Sequence, residues 1–358
     1  MKKIIFCSGG TGGHIFPTIT MINYLRDKYE TILVTDKRAI KYIKSIKCET
    51  QIIEGVKFTK ENFFSNLFSI FKLLNLLLKS IKIIIKEKPD IVFGFGGYVS
   101  VPILIAAKLL NKKIYLYEPN LILGRANRLF LSSCVKIFIH TNKIKNFSMK
   151  YKKKFIEVGN IIRGEITSCS VKNPIVAKKE KNIIILGGSQ GAEIFAEIIP
   201  NAILYLVKNN IKVNVVQQAL PHQIELLNEF YNKNNISCNI FEFKPNISEL
   251  ISKSDLAISR SGASTTAELE YLQIPFIAIP YPFATDNHQY ENALYYMEND
   301  ECWILEQKDF TSEKLGNLLS NIFNNPKHLQ NKKKKMFYNR KTNTLEIIKK
   351  EIEIQNEF

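Results

Sequence analysis

A histidine follows a run of glycines close to the start of the chain. His14 comes directly after Gly9-Gly10-Thr11-Gly12-Gly13, and this run follows an apolar stretch that has the pattern of a β-strand. A strand that ends in glycines and leads into a helix directs backbone N–H groups and the positive end of the helix dipole at a ligand, which suits phosphate. The same dipole favours a neutral imidazole, which is a competent general base. His14 is therefore a candidate base, although a lone histidine more often has a structural role.

A second glycine-rich turn begins at Gly187, after the apolar run Ile183–Leu186. Neither turn has the G-x-G-x-x-G spacing of a dinucleotide fingerprint, because Ile15 replaces the third glycine of the first turn and Ser189 the second glycine of the other. A nucleotide-cofactor dehydrogenase is therefore not expected. Two such turns, about one domain apart, predict two similar α/β halves with a ligand between them.

Polar side chains follow two later strand-like runs. In Ser259–Glu268, small residues open a helix whose N-terminus can hold a diphosphate, and Glu268, one turn into it, can accept hydrogen bonds from a ribose diol. Asp286–Ala293 contributes several amides, which suit sugar hydroxyls because each amide offers both a donor and an acceptor. The Ser-Gly-Ala sequence is also an ordinary helix N-cap, so this pattern alone does not establish a site.

Short apolar runs alternate with segments of helical length along the whole chain. This alternation is typical of βαβ units and parallel sheets. The chain has 358 residues, 46% of them hydrophobic, which favours two domains over one, and Gly159, Gly164 and Pro174 mark the join. The sequence therefore predicts an α/β fold with two parallel-sheet domains. The strand-like runs are Lys3–Cys7, Thr31–Val34, Ile91–Phe93, Ile114–Tyr117, Val135–Ile139, Ile183–Leu186, Val213–Val216, Cys238–Phe241, Leu256–Ile258 and Phe276–Ile279.

Positive charge is concentrated in the first half of the chain. Residues 1–157 contain 28 Lys and Arg against 10 Asp and Glu, whereas residues 158–358 contain 22 against 23. This asymmetry favours an anionic partner for the first domain, either nucleic acid or an anionic membrane surface. The lysine bias of an AT-rich genome explains the same excess equally well, and both explanations stay open at this point.

The cysteines and the N-terminus indicate the compartment and argue against a metal site. The six cysteines are scattered, without a C-x-x-C pair or a Cys/His cluster of metal-ligand spacing, so reduced thiols and no metal are expected. Met1-Lys2-Lys3 leads into only four apolar residues, which is too short for a secretion signal. A cytoplasmic location is therefore expected.

Residues 63–86 combine Phe and Leu with regularly spaced lysines. Lys72, Lys79, Lys82 and Lys86 share one side of a helix, and the apolar residues around them include Phe68, Phe71 and Leu76. The segment is interrupted too often for a membrane span, which needs ~20 predominantly apolar residues. A helix lying on an anionic bilayer fits this pattern. A core-packing helix with a lysine-bearing outer face fits it slightly better, and both interpretations stay open.

Five motifs occur in order along nearly the whole chain. They are Gly9–Pro17, Gly96–Pro102, Gly187–Ala192, Ser261–Glu268 and Asp286–Ala293. In this combination they resemble the MurG-type UDP-N-acetylglucosamine transferases, glycosyltransferase family 28, which make the lipid-linked peptidoglycan precursor. The resemblance implies a GT-B fold, in which two Rossmann-like domains face each other across a cleft. It implies an acceptor-binding and membrane-associating domain at 1–158, a UDP-sugar-binding domain at 163–335, and a C-terminal helix within 336–358 that packs back on the first domain.

The resemblance also implies which residues bind the donor, UDP-N-acetylglucosamine. Glu268 would hold the ribose, Ser189 and the turn from Ala263 to Thr266 the diphosphate, and Asn120 and Gln289 the sugar. The full set of implied donor contacts is Thr11, Gly12, Gly13, Asn120, Arg163, Ser189, Ala263, Ser264, Thr265, Thr266, Ala267, Glu268 and Gln289.

Three segments depart from the family's pattern. Lys244 stands where an apolar residue usually contacts uracil through its backbone, and Tyr117-Glu118-Pro119-Asn120 stands where the family commonly has His-Glu-Gln-Asn. Gln217 stands where many members have a histidine. Lys244 therefore leaves the expected uracil contact open, whereas the other two departures remove no residue on which the implied chemistry depends.

The implied reaction is an inverting transfer of N-acetylglucosamine. The C4 hydroxyl of undecaprenyl-pyrophosphoryl-N-acetylmuramoyl-pentapeptide attacks the anomeric carbon, a β-1,4 linkage forms, and UDP leaves, with His14 as the base. No cofactor and no metal are expected, in line with the lack of a D-x-D motif near a strand end. The expected partners are the two substrates, an anionic membrane surface and other cell-wall and division proteins, without nucleic acid. The expected location is the cytoplasmic face of the bacterial inner membrane, as a peripheral protein.

Three other functions remain open from the sequence. A glycolipid synthase that uses a UDP-hexose would share the fold and the membrane face. A UDP-N-acetylglucosamine 2-epimerase would share the fold and would convert the donor without an acceptor. A nucleic-acid-binding protein would explain the charge of the first half, but it would leave the glycine-rich and amide motifs without a role.

Overall fold

The chain forms two compact units. The computed structural model describes residues 1–43, 46–54, 63–169, 180–188, 191–244 and 246–357, with the side chains of 63–71 and 355–357 left out. The first unit consists of Met1–Ile161 together with Lys341–Phe358, and the second consists of Ile162–Arg340. The chain therefore passes from one unit to the other twice.

The first unit contains a parallel sheet with helices on its faces. Over its described residues the elements are β1 (Lys3–Cys7), α1 (Gly12–Leu25), β2 (Glu30–Thr35), β3 (Glu49–Ile52), α2 (Phe63–Glu87), β4 (Ile91–Gly94), α3 (Ser100–Leu109), β5 (Lys113–Glu118), α4 (Arg125–Leu129), β6 (Lys136–Ile139) and β7 (Phe155–Glu157). The seven strands have the order β3-β2-β1-β4-β5-β6-β7. All described pairs are parallel, with Ile5 opposite Ile32 on one side and Val92 on the other.

The second unit repeats this plan with six strands in its described part. Its elements are α5 (Gly164–Thr167), β8 (Glu180–Leu186), α6 (Glu193–Lys208), β9 (Lys212–Gln218), α7 (Ile224–Lys233), β10 (Ser237–Phe241), α8 (Ile247–Ser252), β11 (Leu256–Ser259), α9 (Ala263–Tyr271), β12 (Phe276–Ala278), α10 (His288–Glu298), β13 (Cys302–Ile304), α11 (Ser312–Asn324) and α12 (Pro326–Asn339). The strands are parallel and have the order β10-β9-β8-β11-β12-β13. The last helix, α13 (Thr344–Glu357), belongs to the first unit.

Each sheet is buried on both faces because successive strand residues point to opposite sides. In β1, Ile5 and Cys7 pack in a core with residues of α2 and α3. Ile4 and Phe6 pack on the opposite face with α1 and α13. Ile352 of α13 is part of this second core, so the C-terminal helix covers the same face of the first sheet as α1 does. Continuous apolar strands are the sequence pattern expected for parallel sheets covered on both sides.

The α/β fold predicted from the sequence is confirmed, and each predicted strand-like run overlaps an observed strand. Three short strands were not predicted: β3, β7 and β13. Each of them lies at an edge of its sheet. An edge strand is covered less than a central one, so it needs no continuous apolar run, and the sequence Glu-Thr-Gln-Ile of β3 has no such run.

The order of the strands reverses at one point in each sheet. In the first unit the chain builds outward from β1 to β3 and then returns to the other side of β1 with β4. In the second unit the same reversal occurs between β8 and β11. Open α/β sheets bind ligands beyond the carboxyl ends of the strands at such a switch point. The loops after β1, β4, β8 and β11 are therefore the candidate ligand sites.

Helix α2 has an exposed face that carries lysines and apolar side chains. Lys72, Lys79, Lys82 and Lys86 are exposed, as the sequence predicts for one side of a helix. The prediction that Leu76 faces a membrane is wrong, because Leu76 is only 7% exposed and packs in the core beneath α2. The exposed apolar side chains of this part of α2 are instead Leu74, Leu78 and Ile85.

These seven side chains, Lys72, Leu74, Leu78, Lys79, Lys82, Ile85 and Lys86, are called the lysine face of α2 below. The side chains of Phe68 and Phe71, which were also expected to face a membrane, lie outside the described part of the helix. Among the helices that the structure describes, none is both long and apolar enough to cross a bilayer.

Candidate active site

In the first unit, two glycine turns touch at the switch point. The N–H of Gly9, after β1, donates to the carbonyl of Gly96, after β4, at 3.0 Å. Gly97 has φ +83°, and a Cβ atom there would lie 2.8 Å from the Cα of Gly9. Both the positive φ and the close approach of the two backbones require glycine at position 97. The contact holds the start of α1 against the loop that follows β4.

His14 lies over the second of these turns. It is in the first turn of α1, and its N–H donates to the carbonyl of Thr11 at 3.0 Å. A Cβ atom at Gly96 would lie 3.2 Å from Cε1 of His14, so the imidazole packs directly on the glycine backbone. The side chain is half-buried at the N-terminal end of the helix. This places an imidazole at the positive end of a helix dipole, beside the carboxyl ends of β1 and β4.

The other residues predicted at this helix start are Thr11, Gly12 and Gly13. Thr11 is the N-cap residue of α1 and is half-buried, Gly12 is buried, and Gly13 is exposed. A Cβ atom at Gly13 would meet nothing within 4 Å. A side chain at Gly13 would therefore point into open space at the first turn of α1.

Asp36 holds the first glycine turn in place through the main chain of Gly10. Its carboxylate accepts from the N–H of Gly10 at 3.1 Å and from the guanidinium of Arg38 at 2.7 and 2.9 Å. Burial raises the pKa of Asp36, but the hydrogen bonds from Arg38 and Gly10 outweigh burial and hold the pKa below its usual range. A Cβ atom at Gly10 would lie 2.5 Å from Oδ1 of Asp36, so this position also requires glycine. Asp36 is a support for the turn that sequence reasoning did not identify.

Glu118 has a comparable role at the end of β5. Its Oε1 accepts from both the N–H and the side-chain amide of Asn120, at 3.1 and 2.9 Å. Its Oε2 accepts from the N–H of Gly124 at 2.8 Å and from the amide of Asn127 at 3.0 Å. Glu118 is buried and Asn120 is half-buried, so the carboxylate fixes the orientation of the predicted sugar-binding amide. The strand-end position of Glu118 was the only sequence signal for this role.

In the second unit, the glycine-rich turn after β8 brings Gly187 close to Ala192. Gly188 has φ +82° and Gly191 has φ +74°, and a Cβ atom at Gly187 would lie 2.8 Å from the N of Ala192. Ser189, which was predicted to bind the diphosphate, lies outside the described residues. Helix α6 begins directly after this turn, at Glu193.

Helix α9 follows β11, the strand that lies next to β8 at the switch point. Of the predicted residues at its start, Ser264 and Thr265 are half-exposed, whereas Ala263 and Ala267 are buried. Thr266 is 0% exposed, and its hydroxyl donates within the helix start, to the carbonyls of Gly262 and Ala263. The side chains that remain candidates for the predicted diphosphate contact are therefore those of Ser264 and Thr265. The Thr266 side chain instead stabilises the start of the helix.

Arg163, which is partly buried, and Glu268, which is buried, form a bidentate ion pair. Nε and one terminal nitrogen of Arg163 donate to the two carboxylate oxygens of Glu268, each at 2.7 Å. Burial alone would lower the pKa of Arg163, but Glu268 outweighs burial and raises it. The resemblance implies that both residues contact the donor, but it implies no contact between them. The structure shows that Arg163 holds the Glu268 carboxylate in one orientation, through a geometry that lysine cannot reproduce.

Gln289 is tied to the start of α9 and to the loop after β12. Its carbonyl oxygen accepts from the hydroxyl of Ser261 at 2.8 Å, and its side-chain oxygen accepts from the N–H of Tyr281 at 3.0 Å. Two successive residues before it, Asp286 and Asn287, have left-handed conformations with φ 53° and 56°. Such positions cost roughly 1–3 kcal/mol each and concentrate at functional sites.

Two of the residues that depart from the family's pattern, Lys244 and Gln217, make local contacts. Nζ of Lys244 donates to the side chain of Asn239 at 3.1 Å and lies 5.1 Å from the ring centre of Phe241. Gln217 is buried and accepts from the hydroxyl of Tyr231 at 2.8 Å. Over the described ranges, no group of three or more His, Cys, Asp or Glu side chains is arranged to hold a metal ion.

Comparison with known proteins agrees with this architecture. The family models for the N-terminal and C-terminal domains of glycosyltransferase family 28 match residues 4–139 and 182–351. Among solved structures, MurG of Acinetobacter baumannii has a TM-score of 0.78 and 23% identity, with 97% of this chain and 98% of that chain covered. A UDP-N-acetylglucosamine 2-epimerase of Neisseria meningitidis has a TM-score of 0.69 and 16% identity, covering 97% and 98%. The two parallel-sheet domains define a protein of the GT-B fold.

Sequence similarity then selects among the proteins that share this fold. The chain is 37% identical to a curated protein of Pelagibacter ubique, over 94% of this chain and 93% of that protein. It is 38% identical to one of Rickettsia bellii, over 95% and 96%. Both are UDP-N-acetylglucosamine--N-acetylmuramyl-(pentapeptide) pyrophosphoryl-undecaprenol N-acetylglucosamine transferases. The chain belongs to glycosyltransferase family 28, which confirms the resemblance found in its motifs.

The Arg163–Glu268 pair makes a prediction about stability. Replacing Arg163 with Met leaves a buried carboxylate without its cation, and we expect the free energy of unfolding to fall by about 3 kcal/mol. The double variant Arg163→Met, Glu268→Met removes both charges and should recover most of this loss. Urea unfolding measures this free energy for the wild type, for Arg163→Met and for the double variant.

The exposed pair of Lys314 and Asp309, at 2.6 Å, provides a matched control. Replacing Lys314 with Met should change the free energy of unfolding by less than about 1 kcal/mol, because exposed pairs contribute little. If Arg163→Met is no more destabilising than Lys314→Met, the pair does not have the structural role assigned to it here.

Proposed function

We propose that this chain transfers N-acetylglucosamine from UDP-N-acetylglucosamine to undecaprenyl-pyrophosphoryl-N-acetylmuramoyl-pentapeptide and so completes the lipid-linked peptidoglycan precursor. The observation that carries this proposal is the 37–38% identity to curated transferases of that name over nearly the full length of both units. The ligand-binding edges described above supply the groups that this chemistry needs. Transferases with other acceptors share the fold, but the sequence matches favour this one.

The second unit is proposed to bind the donor. Glu268, oriented by Arg163, accepts hydrogen bonds from the ribose hydroxyls, because a carboxylate held by a bidentate arginine keeps a fixed orientation while its oxygens retain further lone pairs. The start of α9, at Ala263 and Ser264, receives the diphosphate at the positive end of the helix. The Gln289 amide contacts the sugar. As the UDP leaves, its diphosphate gains charge, and these fixed N–H groups stabilise it without reorganising.

The first unit is proposed to bind the acceptor and to supply the base. In the reaction the C4 oxygen of the acceptor forms a bond to the anomeric carbon, and the bond from that carbon to the diphosphate oxygen breaks with inversion. The hydroxyl proton passes to a ring nitrogen of His14, whose neutral form the helix terminus favours. Thr11, Gly12, Gly13 and Asn120 are proposed to contact the donor as well, as in the family pattern.

The lysine face of α2 is proposed to bind an anionic membrane surface, where the lipid-linked acceptor resides. Leu78, the most exposed of its apolar side chains at 60%, lies beside Lys79 and Lys82 on the same side of the helix. An amphipathic helix of this kind lies in the interface with its apolar side chains inserted and its lysines at the headgroups. The proposed location is therefore peripheral, on the cytoplasmic face of the bacterial inner membrane.

The proposed reaction and the role of His14 are tested in one assay. Purified protein is incubated with radiolabelled UDP-N-acetylglucosamine and the lipid-linked muramoyl acceptor, and labelled lipid product is measured. We expect product only when the acceptor is present. Replacing His14 with Ala should lower turnover by at least about 100-fold, as expected for loss of a general base, with little effect on UDP binding.

The matched control replaces the exposed His328 of α12 with Ala and should leave turnover unchanged. Conversion of the donor to its C2 epimer without acceptor would contradict the proposed reaction. A folded His14→Ala protein with normal turnover would contradict only the assignment of the base.

Membrane binding is tested with vesicles that contain anionic lipid. Replacing Lys72, Lys79, Lys82 and Lys86 with Gln should weaken binding by at least about tenfold at low salt, because each lysine near such a surface contributes up to about 1 kcal/mol. A second variant removes four lysines of α12, Lys327, Lys333, Lys334 and Lys335, and so changes the net charge equally. Equal binding by the two variants would show that net charge, and not the lysine face of α2, determines membrane binding.

A further inference from the structure

Arg260 is a buried arginine at the switch point of the second sheet. It directly follows β11 and is only 8% exposed. Its own N–H donates to the carbonyl of Leu186, the last residue of β8, at 3.2 Å. One terminal nitrogen donates to the carbonyls of Ile279 and Pro280 at 3.1 and 3.3 Å, and the other to the side chain of Gln307 at 2.8 Å. Arg260 thus joins three segments at this edge of the sheet, one through its main chain and two through its side chain.

The guanidinium is also enclosed by two aromatic rings. Its central carbon lies 5.0 Å from the ring centre of Phe195, in the first turn of α6, and 5.4 Å from that of Tyr281. Burial lowers the pKa of Arg260 to about 10, while the neighbouring Tyr281 acts in the opposite direction, so the group keeps its charge at neutral pH. Two carbonyls, an amide and two rings therefore hold a cation in one orientation.

The segment that Arg260 holds also orients Gln289. The carbonyl of Pro280 accepts from Arg260, and the N–H of the next residue, Tyr281, donates to the side-chain oxygen of Gln289 at 3.0 Å. An amide whose oxygen is engaged in this way directs its NH₂ group to the other side. The position of the Pro280–Tyr281 segment therefore determines where the donor group of Gln289 points.

We propose that Arg260 is a positioning residue that orients the Gln289 amide through the Pro280–Tyr281 segment and thereby determines how well the second unit distinguishes the sugar of its UDP donor. The inference rests on the proposed function, which places the sugar at Gln289. Arg260 acts through the segment and does not itself contact the sugar. Lysine has a single ammonium group and cannot hold two carbonyls and an amide in a fixed plane, so the role belongs to the guanidinium geometry and not to the charge alone.

Calorimetric titration with three ligands tests the proposal: UDP, UDP-N-acetylglucosamine, and its C4 epimer UDP-N-acetylgalactosamine. In the Arg260→Met protein we expect UDP affinity to stay within about threefold of wild type, while the preference for the glucosamine donor over its epimer falls about tenfold, as for a lost sugar hydrogen bond. Arg260→Lys should lose the preference to a similar extent, because it keeps the charge but not the geometry.

The matched control is Arg340→Met. Arg340 also lies over two rings, those of Tyr271 and Phe337 at 5.3 and 5.1 Å, and donates to a main-chain carbonyl, but it does so at the end of α12. Its replacement should leave the preference between the two epimers unchanged. If Arg260→Met does not fold, Gln307→Leu removes one of the three acceptors and should lower the preference in the same direction.

The outcomes separate this role from the proposed function. A wild-type protein that fails to bind UDP contradicts both. A wild-type protein that binds the donor, together with an Arg260→Met protein that keeps the full preference between epimers, contradicts the positioning role alone. An equal loss of affinity for UDP and for both sugar nucleotides also contradicts it, because Arg260 would then act on the nucleotide or on the fold as a whole.

Discussion

Parallel strands end at the same edge of a sheet, and both sheets of this protein reverse their strand order beside a central strand. Everything at the ligand-binding edges depends on that arrangement. In the first unit it places the loops after β1 and β4 so close that Gly97 would clash with Gly9 if it carried a side chain. The position of His14 follows from this contact, since its ring packs on the same glycine backbone. The α1 N-terminus and the imidazole are thus fixed by a backbone contact between distant segments.

The two edges use different groups to hold their polar residues in place. The first unit uses backbone and carboxylate supports, with Asp36 beneath the first turn and Glu118 behind Asn120. The second unit uses arginines, because Arg163 orients Glu268 and Arg260 joins the loops around Gln289. Glu118 and Arg163 orient polar side chains directly, Arg260 acts on Gln289 through a loop, and Asp36 fixes the backbone of the first turn. This division agrees with the proposed roles, in which one edge presents a base and the other holds a charged nucleotide in one orientation.

Much of the fold could be predicted from the sequence, because a strand buried on both faces must be apolar throughout. The strands that escaped prediction, β3, β7 and β13, are edge strands of only three or four residues. The residue types at the site could also be predicted, since glycines, hydroxyls and amides after strands mark a ligand-binding edge. Contacts between distant segments could not. Nothing in the spacing of Arg163 and Glu268 indicates that they pair, and nothing in the helical pattern of α2 shows that Leu76, and not Leu74 or Leu78, faces the core.

The switch-point edge of the second sheet is proposed to hold the nucleotide. Amide hydrogen exchange, measured by mass spectrometry with and without UDP, tests it most directly because it reports on each segment separately. We expect slower exchange in the presence of UDP for residues 261–268, in the loop after β11 and the start of α9, with no change in α11. Slower exchange confined to the first unit, with no effect at residues 261–268, would contradict it.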